Sequence, residues 1–192
     1  MLTGRAHPLP VVMLAVSIAL GMSGCVAPTP DPTPSTSAAP SASPLFDSDE
    51  EALAAATEAY AAFQSAVDAE FMREGKSELD ELAIDPALTE ARADIEAFHS
   101  EGKTQTGSVV VRAAKLESRS PGSAGLPPDS SIRVYVCLDV SAVNVLDRSG
   151  QSTVKADRPV AYPFVVTAAW SQAQNALVVE GDEVWEGENF CD

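Results

Sequence analysis

The chain has 192 residues, with 28 acidic against 12 basic side chains and a formal charge of −16. A body this acidic is repelled by nucleic acid and by anionic headgroups, which excludes nucleic-acid binding and peripheral membrane attachment by charge. Two histidines and three cysteines leave few residues for metal or nucleophilic chemistry.

A basic start (Arg5), an apolar segment from Val11 to Leu20 and the small-residue exit Gly21-Met22-Ser23-Gly24 ahead of Cys25 predict a secretory signal over residues 1–24. It is too short to span a bilayer as a permanent helix. Val26 to Pro44 is nearly all Ala, Pro, Ser and Thr, with too little apolar surface to fold. It predicts an extended stalk reaching at most roughly 60 Å. Residues 25–45 thus lead to one domain over residues 46–192, long enough for one core.

The first half of that domain reads as helix. Ser48-x-x-Glu51 is a capping-box pattern, and Leu53, Ala56, Tyr60, Phe63, Val67 and Phe71 recur every three or four residues, with Gly75 as the stop. A short second helix is expected from Ser77, with Leu79 and Leu82 inward. Asp85-Pro86 opens a third, whose stripe is Leu88, Ala91, Ile95 and Phe98, ending at Gly102.

From Thr104 the period becomes two. Strands are expected over Val109 to Leu116, Ile132 to Val145, Val160 to Trp170, and Leu177 to about Trp185. Ser120 to Ser130, rich in Pro, Gly and Ser, is a loop. In the second strand Ile132, Val134, Val136, Leu138, Val140 and Ala142 share a face, and parity switches at Val143 and Val145, as a bulge or bend requires. Three helices followed by a four-stranded meander make an α+β fold, with the helices packed on one face of a strongly bent antiparallel sheet.

The Ser23-Gly24-Cys25 ending resembles the signal of bacterial lipoproteins, with Met22 where Leu is usual. That resemblance implies that Cys25 is diacylglyceryl-modified and becomes the first mature residue. The protein is then extracytoplasmic and held to the cell membrane by lipid, while its acidic body stands off the surface. With Cys25 lipidated, Cys137 and Cys191 remain as an even pair in an exported chain, which predicts a disulfide.

The element order, the run Val134-Tyr135-Val136-Cys137-Leu138-Asp139-Val140, the following Val145-Leu146-Asp147-x-x-Gly150 and the terminal Trp185-x-Gly187-x-x-Phe190-Cys191 resemble actinobacterial lipoproteins of unknown function. Their domain is similar to the nuclear-transport-factor-2-like cone fold. The resemblance covers about residues 46–192 and brings no catalytic signature.

Cone folds of this type include isomerases and cyclases in which a pocket-facing carboxylate moves protons on an apolar substrate. Asp139 and His99 are the candidates for that role. Asp139 shares its strand face with Arg133 and Cys137, which reads as an outward polar face or a buried ion pair, structural rather than catalytic. His99 closes the third helix, where an imidazolium suits the dipole. Tyr162, Phe164 and Trp170, facing Tyr60, Phe63 and Phe71, make either a closed core or a ligand cavity that Asp139 would border. Glu180, Asp182, Glu183, Glu186 and Glu188 lack the spacing of a calcium loop and read as a solvated edge. Gly102-Lys103-Thr104 lacks the first glycine of a phosphate loop, and no nucleophile elbow occurs.

These residues point to a noncatalytic binding or interaction module of the cell envelope, with no cofactor and no metal. Its partner would be an envelope protein or a small ligand. The alternative is a small cone-fold enzyme, isomerase-, cyclase- or hydrolase-like, acting on an apolar ligand between helices and sheet.

Overall fold

The computed structural model describes residues 43–74, 78–122 and 126–191, all within the compact unit Ala39–Asp192. The signal segment, Cys25 and residues 26–42 of the expected stalk lie outside the described residues, as do Gly75 and Ser77.

Helix α1 (Asp49–Met72) starts where Ser48 Oγ accepts the Glu51 N–H at 3.1 Å, satisfying one of the unpaired amides of the first turn. The Glu51 carboxylate reaches back to the Asp47 N–H at 2.9 Å. Among the described residues the helix ends on Arg73, left-handed at φ 60°, whose N–H returns to the last turn of carbonyls. A single turn, α2 (Leu79–Leu82), and then α3 (Ala87–Ser100) follow. The carbonyls at the end of α3 accept from the Arg148 guanidinium, at 2.8 Å from Ser100 O and 3.1 Å from Glu101 O.

The strands are β1 (Thr104–Thr106), β2 (Val110–Arg119), β3 (Ser131–Asp139), β4 (Asn144–Leu146), β5 (Ala161–Ser171) and β6 (Ala176–Val184). Strands β2-β3-β5-β6 form an antiparallel meander, bent by register shifts at Val111/Ala113, Leu116/Ser118 and Thr167/Ala168. Among the described residues the structure is thus α+β, with three helices and a bent antiparallel sheet. The expected long strand from Ile132 to Val145 is interrupted. Strand β3 stops at Asp139, and β4 leaves the meander to pair with β1. The interruption falls at the predicted parity switch. There Asp139 Oδ1 accepts the Ser141 N–H at 2.8 Å, and Arg158 holds the Val140 and Val143 carbonyls at 2.7 and 2.6 Å. Between β1 and β2, Gly107 (φ +73°) lies so close to the Ala142 carbonyl that a Cβ would meet it at 2.0 Å.

The inner face carries Ile132, Val134, Val136, Leu138, Val166, Ala168 and Val179, packed against Ala52, Ala56, Tyr60 and Phe63 of α1. Each large apolar side chain removed from water there contributes about 1.5–3 kcal/mol. On the outer face the chain's end folds back over β3. The Trp185 N–H donates to Pro163 O at 2.9 Å, and the Tyr135 ring meets Trp185 and Phe190 edge-on at centroid distances of 4.9 and 5.8 Å. Cys137 and Cys191 form a disulfide with Cα atoms 5.4 Å apart and a sequence separation of 54.

At the domain's entry the Arg119 guanidinium binds both oxygens of Asp129 at 2.8 and 2.6 Å, Asp49 at 2.9 Å and the Phe46 carbonyl at 2.7 Å. Asp129 is 4% exposed, and the guanidinium beside it holds its carboxyl below the usual range. Leu45 is tied in as well, its N–H donating to Pro128 O at 3.3 Å.

Candidate functional site

Where the second half of α1 crosses α3 and the ends of β3, β5 and β6, the packing leaves a cavity of about 320 Å³. Its apolar wall is Phe63, Val67 and Phe71 of α1, Ala91 of α3, Leu138 of β3 and Phe164 of β5. Its polar wall is Gln64, Glu90, Asp94 and Asp182.

Each group is placed by the periodicity of its element. Tyr60, Gln64 and Asp68 stand four residues apart on α1 and so follow one face, which is the buried face. Glu90 and Asp94, also four apart, flank Ala91 on α3 toward the same opening. Asp182 lies on β6, opposite Val166.

A hydrogen-bonded chain links α1 to β6. Gln64 Nε2 donates to the Tyr60 hydroxyl at 2.8 Å, and that hydroxyl donates to Asp182 Oδ2 at 2.9 Å. Burial, followed by the negative charge of Asp182, raises the Tyr60 phenol well above its ordinary value, so it remains a donor. Burial raises the Asp182 carboxyl, and the like charges of Glu90 and Asp94 push the same way, against the Tyr60 hydrogen bond. Among the described residues no lysine, arginine or histidine lies within ion-pair distance of Asp182, Glu90 or Asp94.

One helical turn beyond Gln64, Asp68 is 2% exposed and braces the strand side. It accepts from Gln105 Nε2 at 2.6 Å and from the Val109 N–H at 2.7 Å. Burial without a cation raises its carboxyl, and these two bonds oppose the shift. His99 Nε2 donates to Glu70 O at 2.9 Å, so the ring caps α1 rather than the end of its own helix; its Nδ1 is buried without a partner among the described residues.

Of the residues expected at a pocket, Phe63 and Phe164 line the cavity, as does Phe71, and Tyr60 is buried beside it with its hydroxyl on Asp182. Tyr162, Trp170 and Asp139 do not line it. Asp139 is the last residue of β3, where the Ser141 contacts hold its carboxyl below the usual range. Of the two structural readings of Asp139, the buried ion pair with Arg133 is not formed, because Arg133 is exposed and pairs instead with Glu117 across β2 and β3 at 2.6 Å. The carboxylates at the cavity are Glu90, Asp94 and Asp182, the last of which the sequence places in a solvated acidic run. No group of three or more metal-ligating side chains occurs among the described residues.

No family model and no curated protein sequence matches the chain. A solved structure similar to it is the intermembrane space region of the chloroplast protein ARC6. That match has 12% identity and a TM-score of 0.47, covering 67% of this chain and 92% of the other.

Proposed function

We propose that the protein is an extracytoplasmic lipoprotein, anchored through Cys25, whose domain is a noncatalytic module that binds a small ligand in the cavity between helices and sheet. The signal-like residues 1–24 and the Ser23-Gly24-Cys25 ending support the anchor, and the three helices set against a bent meander are in keeping with a cone of the nuclear-transport-factor-2-like type. The observation that carries the binding role is the cavity itself. Its volume falls within the range of small-molecule sites, roughly 300–1,000 Å³. Six apolar side chains form its wall, and Tyr60 and Gln64 hold Asp182 in place beside them.

The test uses Nile red, a neutral apolar dye that brightens on leaving water, with the purified full chain. Dye emission should rise with wild-type protein and be lost in Val67→Trp, which fills the cavity, and in Ala91→Phe, which closes its rim. Melting temperatures should stay within about 3 °C, a shift equivalent to roughly 1 kcal/mol. No emission with the wild type, or undiminished emission in both variants, would overturn the reading.

A catalytic reading is favoured by one observation: a carboxylate of raised proton affinity, bonded to a phenol, at the edge of an apolar cavity. Such a pair suits proton abstraction from an apolar carbonyl compound. It expects a turnover that vanishes in Asp182→Asn with the fold intact.

A further inference from the structure

The charged groups around the cavity are all of one sign. Among the described residues Asp182, Glu90 and Asp94 are the ionisable side chains of its wall, and no basic residue stands with them. The remaining polar residue, Gln64, is 9% exposed, and its amide nitrogen is engaged by Tyr60. Among the described residues nothing donates to its Oε1. The same is true of Asp182 Oδ1, since Tyr60 binds Oδ2. The donors run along the chain from Gln64 through Tyr60 to Asp182 Oδ2, which leaves Asp182 Oδ1 and Gln64 Oε1 as acceptors. What the wall lacks, among the described residues, is a cation.

The chain could have neutralised this wall from within. At the entry clamp, Arg119 satisfies Asp129 and Asp49. At the cavity, three carboxylates repel one another across an apolar floor, with no such partner among the described residues. A fatty acid or other anionic amphiphile is disfavoured here by charge. A neutral ligand would fill the floor and leave the repulsion in place.

We infer that the ligand is an organic cation with an apolar body, a primary ammonium on a hydrocarbon or aromatic frame. Its frame lies against Phe63, Val67, Phe71 and Phe164, and its head reaches Asp182 Oδ1 and Gln64 Oε1, with Glu90 and Asp94 around the mouth. An alkylammonium suits this arrangement: it carries three N–H donors and is fully charged at neutral pH. A charge-assisted bond to a partly desolvated carboxylate is about twice as strong as a neutral one. This inference deepens the binding role proposed above and rests on it.

The test compares three probes with one tail and different heads: octylammonium, octanol and octanoate. Each displaces Nile red from the purified full chain below its own aggregation threshold. Octylammonium should bind at least about tenfold tighter than octanol, the scale of one hydrogen bond to a charged group, and octanoate should be weakest. Glu90→Gln/Asp94→Asn changes only exposed side chains. It should reduce the preference for octylammonium over octanol. Adding Asp182→Asn should bring the two probes within about twofold. Raising the salt should shrink the wild-type preference as well.

Equal displacement by octylammonium and octanol, or a preference that survives the triple substitution, would overturn the cationic ligand while the pocket reading stands. Displacement of all three probes that persists in Val67→Trp would overturn the pocket reading itself.

Discussion

The two ends of α1 treat negative charge in opposite ways. At its start Asp49 and Asp129 share one guanidinium, and Asp129 is held below the usual carboxylate range. Toward its end Asp68 and Asp182 have only neutral donors, and both are raised. The first arrangement stabilises the fold. The second costs stability at neutral pH, because burying a carboxylate without a cation is unfavourable. Such a cost is expected where a site serves a ligand rather than the fold.

The largest effect should come from a change that belongs to neither end. Cys137→Ala/Cys191→Ala opens a long loop, and the chain-entropy model sets the loss at about 4 kcal/mol. Denaturant unfolding of this variant should show that loss with the contrast between the ends intact. Two alkylatable thiols in the unreduced native protein would contradict the disulfide.

At the clamp, Asp129→Asn keeps a side chain that tolerates the left-handed backbone (φ 69°) and removes the charge. It should cost about 2–3 kcal/mol. That is less than the roughly 3–5 kcal/mol of a fully enclosed pair, because Asp49 and the Phe46 carbonyl still hold Arg119. Asp182→Asn at the cavity should act in the opposite direction, raising stability by about 0.5–1 kcal/mol, the scale of a partly exposed charge interaction. Equal signs for the two substitutions would remove the distinction between the ends.

The smallest effect is one of pH. Asp68 and Asp182 bind protons more tightly in the folded chain than in the unfolded one, so stability falls as pH rises through their folded values. Asp129 is the reverse, and its contribution is lost as pH falls through its lowered value. Stability should therefore rise on acidification from neutrality, peak in mild acid and fall below the ordinary carboxylate range. Unfolding measured across pH should show a shallower rise in Asp182→Asn. An identical slope in wild type and variant would refute the role given to Asp182.

Much of the architecture is legible in the residues because its signals are local. The Ser48 cap, the apolar stripe of α1 and the period-two runs of β3, β5 and β6 each lie within one element; the ends of β5 and β6 differ by only a residue, whereas β3 stops six residues before the expected Val145. The pairing of β1 with β4 is not legible. Thr104–Thr106 has no apolar pattern, and its partner lies some forty residues on, past a turn set by Arg158. The cavity is half legible. Phe63, Phe71 and Phe164 follow from periodicity, whereas Glu90, Asp94 and Asp182 meet only because α3 crosses β6. Gln64 and Asp68 did leave a trace: they continue the Tyr60 face at four-residue steps, and a polar residue on a core face signals a buried network. Asp139 misleads because a carboxylate in an apolar run suggests a pocket, while its strand ends at that residue.

The Arg119 clamp has a mechanical consequence. Any tension arriving along the segment before the domain enters at Leu45 and Phe46, where the Pro128 carbonyl, Arg119 and, through Arg119, Asp129 take the load. Strand β2 carries Arg119 as its last residue, so force passes directly into an edge of the four-stranded sheet instead of peeling α1 turn by turn from its capped start. The cavity draws its wall from α1 only from Phe63 onward, some four turns along the helix from Asp49. The domain is thus strained first where it is charge-neutralised and last where its carboxylates are unpaired, so that a pull on the entry segment leaves the cavity end undisturbed.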